Sequence, residues 1–176
     1  MKRNVLFAAA VMLFAMAVSA SAQKASDFSG TWSLDTAKST SADSSIESQT
    51  LTVTQTAADL KYELATTRKE GSESGRGRGM MGGGNSSASF SLDGKETKAE
   101  IEGRMGKMPV TYKAAVAGDG SVKLTTVRTF NGPQGEMSFT VTENWSLSAD
   151  GKTLTVARES VSPRGTNNST SVYTKK

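Results

Sequence analysis

The chain has 176 residues, about one domain's length, with a net charge of +4 and neither Cys nor His. These absences exclude disulfides, thiol nucleophiles, Ser-His-Asp and Cys-His triads and most zinc or transition-metal sites, so we expect no cofactor and no metal. The 24 serines and 21 threonines favour antiparallel β-structure over helix.

The first 22 residues predict a cleavable export signal. Lys2 and Arg3 precede an uncharged apolar run at Val5–Val18, and the small residues Ala20–Ala22 follow it. The run is shorter than the roughly 20 residues of a comfortable membrane helix, although an N-terminal anchor is the alternative. We expect cleavage after Ala22 and a secreted or periplasmic protein of a Gram-negative bacterium, not an integral membrane protein. Residues 23–176 then form one domain.

Apolar and polar residues alternate along most of this domain, a pattern typical of strands with one buried face. It is clearest between Met137 and Leu147, where every second residue is large. No segment shows a sustained helical period, and the best helical candidate is a short turn within Asp35–Ser45. The predicted strands are 28–34, 49–56, 59–67, 86–92, 95–102, 108–117, 121–130, 136–147, 152–161 and 169–174.

The turns between these strands predict the pairing register. A two-residue turn at Asp150–Gly151 places two apolar pairs and one pair of opposite charge on the same face of the hairpin. The pairs are Leu147 with Leu154, Trp145 with Val156 and Glu143 with Arg158. A three-residue turn would pair Leu147 with Thr153 and mix the two faces, so we prefer the first register.

Two further turns also predict a pairing register. The turn at Gly118–Gly120 predicts the pairs Val116 with Val122, Ala114 with Leu124 and Val110 with Arg128. The turn at Asp93–Gly94 predicts the pairs Phe90 with Thr97 and Ala88 with Ala99.

About ten strands joined by hairpins must hide one apolar face and two sheet edges. Closure into an antiparallel up-and-down barrel of about 8–10 strands does both, with the first and last strands meeting. A two-sheet sandwich is the alternative, but it usually requires longer Greek-key connections.

Five short motifs occur in an order that resembles the lipocalins, and more closely the small secreted lipocalin-like proteins of bacteria. They are Asp27–Trp32 with its Gly-x-Trp, Lys38-Ser39, Leu92–Lys95, Val110–Ala114 and Trp145–Val156. The resemblance implies a calycin-type barrel that holds an apolar or amphipathic small molecule. It also implies that an Arg on a late strand, here Arg158, packs over Trp32.

Nine residues are predicted to line the barrel interior as a ligand site. They are Trp32, Tyr62, Phe90, Tyr112, Arg128, Phe139, Glu143, Trp145 and Arg158. The guanidinium groups of Arg128 and Arg158 suit a carboxylate or phosphate on a ligand. In the alternative, a filled core, Glu143 and Arg158 simply neutralise each other. A continuous inner cavity of at least about 300 Å³ would favour the ligand, and its absence the filled core.

A Gly-rich stretch at about 68–87 predicts a flexible loop at the barrel rim. Its Gly75–Gly79 segment has the Arg-Gly pattern of some RNA-binding proteins, but it lacks aromatic residues on which bases could stack. We therefore expect no nucleic-acid partner.

Catalysis has little support, because Glu143 is the one carboxylate on a predicted inner face and no His or Cys can act as a base. The predicted function is binding of a small apolar or amphipathic ligand by a non-enzymatic monomer. The alternative is a structural or protein-interaction module of the cell envelope with a filled core.

Overall fold

The computed structural model describes residues 24–40, 45–70, 85–103, 106–132 and 135–176. The predicted signal peptide with its cleavage site after Ala22, and residues 71–84 of the predicted Gly-rich loop, lie outside these ranges. Where the structure is described, it contains no helix with the length and apolar character needed to cross a membrane.

Ten antiparallel strands form one sheet, which confirms the predicted all-β class and the existence of each predicted strand. The strands are β1 (Gly30–Leu34), β2 (Ile46–Gln55), β3 (Asp59–Arg68), β4 (Ser86–Ser91), β5 (Thr97–Gly103), β6 (Gly106–Val116), β7 (Val122–Gly132), β8 (Gly135–Leu147), β9 (Thr153–Ser162) and β10 (Gly165–Lys175). Strands that are neighbours in sequence are neighbours in the sheet, except β4 and β5, which do not pair. In addition, the first strand, β1, pairs with the last, β10.

Pairing of β1 with β10 curls the sheet into a nearly closed barrel, as predicted. Trp32 lies opposite Lys175, and Leu34 lies opposite Tyr173. Because β1 is short, the residues after it continue the contact: Thr40 N donates to Thr170 O at 2.8 Å. The short turn predicted within Asp35–Ser45 is present at residues 36–38, where the Asp35 carboxylate accepts from the backbone N–H groups of Ala37 and Lys38. It does not form a helix in the described residues.

The predicted register at Asp93–Gly94 is wrong. Phe90 does not pair with Thr97, nor Ala88 with Ala99, because β4 pairs with β3 alone and β5 with β6 alone. We call the unpaired line between β4 and β5 the seam. Side chains fill it, since the rings of Phe90 and Tyr112 meet edge to face with centroids 5.2 Å apart. Burial of aromatic surface across the seam therefore replaces a ladder of backbone hydrogen bonds.

The other two predicted registers are confirmed in full. Across β8 and β9 the structure pairs Leu147 with Leu154, Trp145 with Val156 and Glu143 with Arg158. Across β6 and β7 it pairs Val116 with Val122, Ala114 with Leu124 and Val110 with Arg128. These registers fix which side chains enter the barrel.

The apolar core fills the end of the barrel at which the chain enters. Trp32 is fully buried there, and its indole Nε1 donates to Phe28 O at 2.9 Å. The Gln55 side chain holds the entering segment, since it accepts from Phe28 N at 3.0 Å and donates to Ser26 O at 2.8 Å. Residues 24–28 therefore cover this end of the barrel.

Candidate functional site

A small cavity lies above the apolar core, between the inner faces of strands on opposite sides of the barrel. Its volume is about 60 Å³. Its lining changes from apolar and aromatic to polar and charged, and the described lining residues are Leu51, Tyr62, Leu64, Ser86, Thr126, Arg128, Val141, Glu143, Trp145, Val156, Arg158 and Tyr173.

An ion pair forms one wall of the cavity. Arg158 Nη1 lies 3.9 Å from Glu143 Oε1, and the two residues are direct partners across β8 and β9. The other carboxylate oxygen, Oε2, accepts from the indole Nε1 of Trp145 at 3.2 Å. The Arg158 side chain is 29% exposed and that of Glu143 14% exposed, so solvent reaches the guanidinium more readily than the carboxylate.

Two tyrosine hydroxyls border the charged groups. Burial raises the pKa of both Tyr62 and Tyr173, and the negative charge of Glu143 raises both further. Both phenols are therefore neutral hydrogen-bonding groups at physiological pH. Tyr173 donates to Gln49 Oε1 at 2.6 Å, and Gln49 Nε2 donates to Thr66 Oγ1 at 2.9 Å, which orders this side of the interior.

The nine predicted site residues fall into two groups. Tyr62, Arg128, Glu143, Trp145 and Arg158 surround the cavity. Of the other four, Trp32, Phe90 and Tyr112 belong to the packed core, while Phe139 stacks on Phe130 with ring centroids 5.2 Å apart. Phe139 is the cross-strand partner of Arg128, so this half-buried stack continues the inner face beyond the cavity toward the β7–β8 connection.

The predicted packing of Arg158 over Trp32 is wrong. Lys175 occupies that position, with Nζ 5.1 Å from the centroid of the Trp32 ring. Arg158 lies opposite Ser169 on β10, six positions before Lys175 along that strand, or roughly 20 Å at the usual rise per residue. The guanidinium is therefore directed at the cavity instead of the closed end.

Short polar residues of the lining were absent from the predicted site. They are Ser86 on β4 and Thr126 on β7. The sequence did carry a signal for Thr126, because it lies between Leu124 and Arg128 in the same alternation. Serine and threonine are too common in this chain for the alternation of inward-facing and outward-facing positions to identify those that line the cavity.

The cavity is well below the volume of about 300 Å³ expected of a site that encloses a whole small molecule. It has room for a few waters or for one small polar group. A wider depression of about 430 Å³ lies against β2, β3 and β4. It shares Leu64 and Ser86 with the cavity, and the rest of its lining is Thr50, Thr52, Glu63, Ala65, Asn85 and Ser87. In the described ranges, no group of acidic side chains is placed to hold a metal ion.

The chain matches no known protein-family model, and it matches no curated protein. Among solved structures, it is similar to zebrafish ileal bile acid-binding protein complexed with cholic acid. The two share 14% sequence identity with a TM-score of 0.47, over 86% of this chain and 100% of the other.

Proposed function

We propose that the barrel binds a small amphipathic molecule through a negatively charged head group placed in the cavity. The observation that carries this proposal is the polar half of the interior, where the guanidiniums of Arg128 and Arg158 lie among hydroxyl groups. Charged groups in a barrel core are costly unless they are paired or solvated, and apolar residues would fill the space at lower cost. A binding role accounts for their placement.

The apolar part of the ligand lies beyond the cavity in this proposal. The cavity takes only the head group, because 60 Å³ is too small for more. Apolar surface is offered by the half-buried Leu64 in the cavity lining and, beyond the cavity, by the Phe130–Phe139 stack on the inner face. A ligand bound there would displace water from the polar groups and cover these rings at the same time.

Export is part of the proposal, and its support is the N-terminal sequence: a basic start, an apolar run and the small residues before Gln23. The proposed protein is a non-catalytic, lipocalin-like binder outside the cytoplasm.

A second candidate function is a structural or interaction module with a filled core. The small cavity volume favours it directly. It predicts that Glu143 and Arg158 serve only to neutralise each other, so that amphiphiles of any charge leave the interior unoccupied.

The test uses two probes of equal chain length, sodium dodecanoate and dodecanol, titrated calorimetrically below the concentration at which they aggregate. We expect Arg128→Met to lower the affinity for dodecanoate by about tenfold or more, since hydrogen bonds to charged groups contribute roughly 1.5–3 kcal/mol. Dodecanol binding should change much less. Arg164→Met, an exposed residue at the β9–β10 turn, is the matched control and should alter neither probe. Equal losses for both probes with Arg128→Met, or no binding of dodecanoate, would contradict the proposal.

A further inference from the structure

Three charged side chains are among the described residues that line the cavity. In the described lining they are the guanidiniums of Arg128 and Arg158 and the single carboxylate of Glu143, for a sum of +1. The two phenols that face them from β3 and β10 remain neutral. Ser86 and Thr126 add hydroxyl dipoles without charge.

Glu143 occupies a position where its charge acts on any head group in the cavity. One of its oxygens faces Arg158 and the other accepts from the Trp145 indole, so the carboxylate is held from two sides. Its side chain is 14% exposed, which limits screening by water. An anion that binds the guanidiniums therefore meets a fixed negative charge beside them.

We infer that Glu143 is a specificity-determining residue that restricts the cavity to head groups with one negative charge, such as a carboxylate. A monoanion brings the charge of the occupied site to zero. A dianionic phosphate monoester leaves the site at −1, loses more hydration on entry, and lies against the Glu143 carboxylate. A neutral head group leaves the site at +1. This inference rests on the proposed function, because it concerns the same cavity.

The experiment compares dodecanoate with dodecyl phosphate by calorimetric titration at pH 8. At this pH the phosphate is almost entirely dianionic, because its second pKa is about 6. For the wild-type protein we expect dodecanoate to bind at least about tenfold more tightly, since like charges near a partly buried site repel strongly. In Glu143→Gln the site holds +2, and this preference should fall by about tenfold or more.

Glu159→Gln is the matched control. Glu159 is the neighbour of Arg158 on β9 and is exposed on the outer face, so its replacement changes the net charge equally without altering the interior. The preference for dodecanoate should be unchanged in this variant.

A pH series on the wild-type protein tests the same inference without any substitution. Between pH 8 and pH 6 the monoanionic fraction of dodecyl phosphate rises from about 1% to about half, so its affinity should increase by at least about tenfold. The titratable and charged groups that face the head group are Tyr62, Arg128, Glu143, Arg158 and Tyr173. Burial raises the pKa of Tyr62 and of Tyr173, so these two phenols stay neutral over this range. Dodecanoate affinity should therefore stay nearly constant.

Two results would overturn the inference and leave the proposed function standing. One is equal affinity of the wild-type protein for both probes at pH 8, and the other is an unchanged preference in Glu143→Gln. Failure of both probes to bind at any pH would overturn the proposed function as well.

Discussion

Replacement of Trp32 by alanine is expected to lower the free energy of unfolding by about 3–5 kcal/mol, the usual cost of removing a buried Trp or Phe side chain. Trp32 is 0% exposed, donates to Phe28 O and packs under Lys175. Its loss leaves a cavity at the closed end and removes the donor that fixes the entering segment. Since single domains are stable by only about 5–15 kcal/mol, this would be a large share of the total.

Urea unfolding followed by tryptophan fluorescence measures this effect well. The chain has two tryptophans, so Trp145 is the sole reporter in the variant. Trp32→Phe is the control: it keeps most of the ring but leaves Phe28 O without its indole donor, for an expected loss of about 1–3 kcal/mol. A loss below about 1 kcal/mol in Trp32→Ala would contradict the placement of this ring in the core.

Replacement of Phe90 by alanine should have the second large effect, also about 3–5 kcal/mol. Phe90 is buried on β4 and contacts Tyr62 as well as Tyr112, with ring centroids 6.2 and 5.2 Å away. Because β4 and β5 are not paired in the described sheet, these aromatic contacts hold β4 against β6. Hydrogen exchange of the β4 amides should therefore accelerate more than exchange on β8.

Phe139→Ala makes the same chemical change at a half-buried ring far from the seam, and it should cost less and leave β4 exchange unchanged. If the β4 amides exchanged no faster in Phe90→Ala than in the wild-type protein, the result would contradict the claim that side-chain packing closes the seam.

The alternation of residues predicted the strands and most of the register because one buried face constrains both. Leu147 and Trp145 can face their partners on β9 in one register only, since a slip of one residue would expose them. The turn at Asp93–Gly94 gave an equally clear local signal, and Gly94 does adopt a positive φ of 81° there. That signal could not reveal the seam, because whether β4 and β5 pair depends on how the aromatic side chains of β3, β4 and β6 pack together.

The candidate site was predictable in its charged part. The alternation of inward-facing and outward-facing residues placed Arg128, Glu143 and Arg158 on the inner face, and the structure brings all three to one cavity. The alternation does not indicate how far along the barrel axis a residue lies. The fully packed Trp32 and the cavity-lining Trp145 were therefore both predicted to line the ligand site. The height of each residue is set by the stagger of the strands and by the segment that closes one end.

The most direct test of the account is a titration of the isotope-labelled protein with sodium dodecanoate, followed through backbone amide chemical shifts. We expect saturable shifts at residues around the cavity, above all Thr126, Arg128, Glu143 and Arg158, with little change at Glu63 on the outer face. Shifts confined to the outer depression around Glu63, or no saturable shifts at all, would contradict it.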